Sequence, residues 1–274
     1  MISLSGLNTR MGLQLVDATR DRQLDMIRNS AQDKRAIAAF ESRIGNVETV
    51  DQLMEDRELY VFVMKAFDLE DQIFGKALIK KLLKSDADDP KSLVNRLTDA
   101  RFKEMHTKLG FKDNGTRNSL TDSSFWQKTI VNRYVEQRFE NAQADQNEKV
   151  GTVLEFRRKA ETVKNWFDVL KDPEMTEFMR TSLGVPSSVA GLNIDKQVEL
   201  FKAKFDISKL KDPAELAKLE RKYVSITDAK TGVNTASNAA LALMSAAVSA
   251  GAGGQFTPIT LDITAVTLLR RNTY

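Results

Sequence analysis

Residues 40–69 read FESRIGNVETVDQLMEDRELYVFVMKAFDL, and a degenerate copy, FRRKAETVKNWFDVLKDPEMTEFMRTSLGV, occupies residues 156–185. Sliding the first stretch by 116 positions, from Phe40 to Phe156, aligns the two without a gap. Val47, Asp56, Glu58 and Phe62 then meet Val163, Asp172, Glu174 and Phe178, while Leu53, Met54, Leu59, Val63, Phe67 and Leu69 meet Val169, Leu170, Met175, Met179, Leu183 and Val185. The matches are mostly apolar, as expected when one helical unit is used twice and each copy buries the same face. The sequence therefore predicts an all-α protein of two degenerate helical repeats packed together. Asp56 and Asp172, matched across the copies, each stand directly before a helical apolar run and are read as caps or turn formers.

Working outward, the chain divides into an N-terminal helix or interaction segment (1–35), a first repeat (36–116), a connecting loop and long helix (117–149), a second repeat (150–225) and an apolar C-terminal segment (226–274). In the first of these, Leu13, Val16, Leu24, Ile27 and Ala31 recur at three- and four-residue steps, predicting one amphipathic helix from Met11 to Ile44. Asp89-Pro90, Asp172-Pro173 and Asp212-Pro213 each read as an N-cap followed by proline at the first helical position. Leu93, Leu97, Phe102, Met105 and Leu109 continue a helical spacing to Gly110, and the polar run Lys112 to Asp122 reads as a surface loop. Beyond Thr231 the only charged residues are Asp262, Arg270 and Arg271. The run from Asn238 to Ala250 is a helix candidate well short of the ~20 residues needed to span a bilayer. Residues 257–274 alternate like a strand at their start and step like a helix at their end.

At 274 residues, with 41 basic and 38 acidic side chains and a net charge of +3, the chain has the composition of a soluble globular protein. Neither nucleic acid nor an anionic membrane is implied as a partner. The basic runs Lys80-Lys81, Arg157-Arg158-Lys159 and Arg270-Arg271 are short, interleaved with acids, and read as solvated helix faces. With no cysteine there are no disulfides, thiolate metal sites or cysteine nucleophiles. The opening residues show no Sec-type signal peptide.

Catalytic signals are sparse. The single histidine, His106, lies on a helix between Glu104 and Lys108 and reads as a solvated or packing residue. The Asp86, Asp88, Asp89 cluster fails as a calcium loop, since Lys91 and Leu97 stand where glycine and glutamate belong, and it reads as helix capping. Gly251 to Gly254 lacks the lysine and hydroxyl residue of a phosphate loop. Trp126 and Trp166 sit at helical spacing among apolar residues and are read as core. The expectation is of no catalytic residue, no metal, no cofactor and no small-molecule substrate.

Three segments together carry a resemblance: VETVDQLMEDRELYVFVMKAFDLEDQ, SDADDPKSLVNRLTDARFKEMHTKLGF, and the later SLGVPSS with its FDISKLKDP. Over roughly residues 36 to 225 the chain resembles a helical bacterial domain family of unknown function, found mostly in alphaproteobacteria and often encoded among flagellar genes. The resemblance implies a structural or assembly component of the bacterial flagellum, exported without a cleaved signal peptide. Its partners would be other flagellar proteins or copies of itself, contacted through the terminal segments. The candidate contacts are Leu13, Val16, Leu24 and Ile27 at one end and Leu241, Leu243, Met244, Val248, Leu268 and Leu269 at the other. The alternative is a cytoplasmic adaptor or regulator of flagellar assembly that binds a partner between the repeats.

Overall fold

The computed structural model describes residues 2–230. Among these residues the chain forms thirteen α-helices joined by turns and short 3-10 segments, with a single isolated β-bridge between Lys112 and Arg117. The helices are α1 (Thr9–Asn29), α2 (Ala31–Arg43), α3 (Val50–Glu55), α4 (Arg57–Ala66), α5 (Lys76–Leu83), α6 (Leu93–Arg96), α7 (Ala100–Leu109), α8 (Ser124–Ala144), α9 (Glu148–Ala160), α10 (Trp166–Leu170), α11 (Pro173–Ser182), α12 (Ile194–Lys204) and α13 (Pro213–Lys230).

The duplication holds down to single hydrogen bonds. Thr49 and Gln52 form a capping box that starts α3, and Asn165 and Asp168 form the equivalent box before α10. Asp56 accepts from the amides of Glu58 and Leu59, starting α4; Asp172 accepts from those of Glu174 and Met175, starting α11. Each copy then ends on a residue in the left-handed region, Asp68 (φ 57) in the first and Gly184 (φ 61) in the second. The amide after it turns back in both, Leu69 to the Met64 carbonyl and Val185 to the Arg180 carbonyl. Both ends thus close with the reversed hydrogen bond of a Schellman-type stop.

Packing repeats as well. The Phe40 and Phe62 rings stack at 4.4 Å between α2 and α4, and Phe62 stacks in turn on Tyr134 of α8 at 4.2 Å. In the second copy Phe156 stacks on Phe178 at 3.7 Å, and Phe178 on Tyr223 of α13 at 4.6 Å. The segment expected as a connector therefore carries α8, which closes the first copy as α13 closes the second. It also packs along α9 and so welds the copies together.

Several boundaries differ from expectation. The helix predicted from Met11 to Ile44 is two helices, because Ser30 takes an extended conformation (ψ 146) and its side chain caps α2 at the Asp33 amide. The spacing of apolar residues persists through this break, so periodicity alone hides it. Asp89-Pro90 opens a turn rather than a helix, Asp89 accepting from the Lys91 amide, and the helix that follows starts only after Ser92. Asp86 likewise accepts from the Asp88 amide within a turn. The run toward Gly110 is interrupted at Leu97, and α7 starts anew on an Asp99 cap. Asp172-Pro173 and Asp212-Pro213 do start helices.

Candidate functional site

The four N-terminal candidates are not a free surface. Leu13, Val16, Leu24 and Ile27 lie inside the protein's own core, where α1 packs against α2, α8, α9 and α13. The expectation failed because periodicity shows which stripe is apolar and not what covers it. Polar contacts complete the seat: Gln23 and Gln143 are fully buried and bonded to each other at 3.0 Å, and Arg157 of α9 bridges Asp17 of α1 (2.6 Å) and Glu220 of α13 (2.8 Å). The two acids, with burial opposing them, hold the Arg157 guanidinium firmly charged. At the start of α1 the Asp228 carboxylate of α13 accepts from the amides of Thr9 (3.0 Å) and Arg10 (3.3 Å), capping the helix from the far end of the chain. The C-terminal candidates Leu241, Leu243, Met244, Val248, Leu268 and Leu269 lie outside the described residues.

Where the two copies meet, the surface opens into a cavity of about 360 Å³ lined by charge. The first copy contributes Asp68 and, from the start of α7, Asp99 and Arg101; the second contributes Glu155, Lys159, Lys171, Asp172 and Glu174. Arg101 forks onto Asp99 (2.8 and 3.0 Å), stands 3.6 Å from the Asp68 carboxylate, and donates to the Asp68 carbonyl. Burial pushes the Asp68 carboxyl up despite Arg101. Lys159 is shared between Asp172 (2.5 Å) and Glu155. The neighbouring Glu155 pushes the Glu174 carboxyl above the ordinary carboxylate range. Beneath them Arg158 forks onto the buried Glu140 at 2.8 and 3.1 Å.

Chemically this is a cluster in which acids outnumber bases and most of the charges are already engaged. Asp99 and Asp172 accept from backbone amides as helix caps, Arg101 is held by the acids around it, and Lys159 has two carboxylates. A general base acts best when a reacting proton can reach it and its pKa is matched to the task. Sequence reading missed the cluster because its members converge from distant parts of the chain. One signal was present: in register, Ala39 meets Glu155, a charge that the first copy lacks.

A second cavity, about 590 Å³, is lined by Ser85, Asp86, Asp88, His106 and Asp113 among others. His106 is buried with its Nε2 2.9 Å from the Ser85 carbonyl, which ties α7 to the end of α5 and fits a packing histidine. Trp126 and Trp166 are buried, as expected of core residues. Among the described residues no three His, Cys, Asp or Glu side chains are grouped so as to hold a metal ion. No helix among them is long and apolar enough to cross a membrane.

Fold and site together define an all-α protein made of a duplicated helical unit with a charged joint. Residues 66–216, more than half of the chain, match the family described as "Protein of unknown function (DUF1217)", and the chain belongs to that family. It is also similar to the crystal structure of a protein from Agrobacterium tumefaciens determined by a structural genomics consortium. That likeness has a TM-score of 0.71 and 27% identity, covering 82% of this chain and 95% of the other. No curated protein matches the chain.

Proposed function

We propose that this protein is a structural or assembly component of the bacterial flagellum, working through protein–protein contacts and carrying no catalytic site. The observation that supports this reading best is the tie between Asp228 and the first turn of α1, which sets the two ends of the helical body side by side. Contacts made by chain segments at that end would act as one surface. The resemblance of residues 36 to 225 to a family often encoded among flagellar genes supplies the cellular setting, by analogy. With α1 seated in the core, the contact candidates that remain are Leu241, Leu243, Met244, Val248, Leu268 and Leu269.

The alternative, a cytoplasmic adaptor that binds a partner between the repeats, is favoured by the charged cavity at the joint. Export separates the two. Fractionation of a wild-type strain and of a flagellar-secretion mutant should find the protein outside the cell only in the first. Retention in the cytoplasm of both, with unaltered motility on deletion, would overturn the structural reading.

A further inference from the structure

Helix α1 hangs from the rest of the chain by one corner, at Ser30. It packs on α2 and on three helices that come later in the chain, α8, α9 and α13. The corner is a single extended residue (φ −61, ψ 146) held by its own side chain, which accepts from the Asp33 amide at 3.1 Å and donates to the Asp33 carboxylate at 2.7 Å. Ala31 and Gln32 are the first two residues of α2, so their amides have no acceptor within it. In one unbroken helix they would bond to the carbonyls of Ile27 and Arg28, in the last turn of α1. The bend thus leaves undone what a straight helix from Thr9 to Arg43 would complete.

The apolar pattern fits the straight form as well. Leu24 of α1 and Phe40 of α2, both buried, are sixteen residues apart, which at about 3.6 residues per turn puts them about 160° apart round one continuous helix. Straightened, the chain would keep Phe40 on its own body and turn the α1 stripe away from it. Ala31 continues that stripe by its spacing and is exposed in the bent chain. The surface that α1 would vacate is specific: it offers Gln143 to Gln23, Arg157 to Asp17, Glu136 to Arg20, and the Asp228 carboxylate to the amides of Thr9 and Arg10. The same helix from another molecule fits it group for group.

We propose that residues 2–29 are an exchangeable arm hinged at Ser30, and that the partner the body accepts is a second copy of this chain. In the exchanged dimer each α1 lies on the α8, α9 and α13 of the other copy, and Leu13, Val16, Leu24 and Ile27 stay buried. The exchange is reciprocal and closes on a two-fold axis, so no apolar stripe is left to recruit a third copy. The contacts of α1 with those three helices are all remade. The Ser30 cap and the packing of α1 on α2 are given up, and backbone bonds across the hinge are gained. Short hinges invite exchange of this kind. In dilute solution the chain's own arm is always at hand and the monomer wins; crowding the chains together favours the dimer. The proposal goes beyond the flagellar reading and does not rest on it.

Two substitutions at the corner act in opposite directions. Ala31→Pro suits the bent chain, because proline is favoured at the first helical position and Ser30 already has the extended conformation that precedes it. In a straight helix the same proline removes a hydrogen bond and clashes with the preceding turn. Ser30→Ala removes a cap that only the bent chain uses, favouring the straight form about fivefold per corner and about 25-fold for a dimer with two corners. The full chain and both variants are held concentrated just below melting, cooled, and sized by chromatography with light scattering. The wild type should give a dimer that outlasts dilution for as long as the monomer takes to unfold, with slower hydrogen exchange at Ala31 and Gln32 than in the monomer. Ser30→Ala should give more of that dimer and Ala31→Pro none. A wild type that stays monomeric, a dimer that falls apart at once on dilution, or one equally abundant in Ala31→Pro overturns the proposal. Wild type against Ala31→Pro decides the matter even if Ser30→Ala fails to fold.

Discussion

Phe62 and Phe178 occupy equivalent places, each between two aromatic rings, so truncating them asks whether the duplication is energetic as well as geometric. Both side chains are buried, at 3% and 0% exposure. Phe→Ala in a core costs about 3–5 kcal/mol, from lost transfer free energy and the cavity left behind. Ring centroids at 4.4 and 4.2 Å around Phe62, and at 3.7 and 4.6 Å around Phe178, place both substitutions in the upper part of that range. Each aromatic pair adds about 0.5–1.5 kcal/mol beyond its buried area. At about 2–4 °C per kcal/mol for a body of this size, each variant should melt roughly 8–20 °C below the parent. Since α8 packs on both α4 and α9, and α1 on helices of both copies, the loss should appear in one shared transition. Calorimetry and circular dichroism on Phe62→Ala and Phe178→Ala would measure it. Two resolved transitions in either variant, or a loss below about 1 kcal/mol at one site against more than about 3 at the other, would refute the reasoning.

Three further outcomes are expected. Asp228→Ala removes the acceptor for the Thr9 and Arg10 amides and should cost about 1 kcal/mol, with faster hydrogen exchange confined to the first turn of α1. Gly184→Ala meets no atom within 4 Å of the added Cβ, so its cost of about 1 kcal/mol is purely that of the left-handed backbone; a neutral result in urea unfolding would contradict this. Trypsin should spare Arg20, Arg22 and Arg28 for as long as the body stays folded, because α1 is part of the core; early release of an N-terminal fragment would show that it is not.

Much of the architecture was legible. The 116-residue shift from Phe40 to Phe156 predicted the duplicated unit, and Asp56 and Asp172 do cap α4 and α11. The break at Ser30 was hidden because apolar spacing runs through it, although Ser30 with Asp33 three residues on is a cap signature that outranks periodicity. The role of α8 was hidden for another reason: Tyr134 and Tyr223, the third rings of the two stacks, fall at a different spacing from the rest of the repeat. The joint was the least legible feature, since Asp68, Arg101 and Glu155 become neighbours only through tertiary folding.

The cap that Asp228 places on α1 also sets a clock. During synthesis the first long helix of the body waits for the last one, nearly the whole body away along the chain, before its opening amides find their acceptor and Arg157 can reach Glu220. At ~5–20 residues per second a ribosome takes on the order of 10–40 s to cover that distance. Through that interval the part of α1 that α13 covers stays open, a window in which a chaperone or an export machine could hold the nascent chain before it closes.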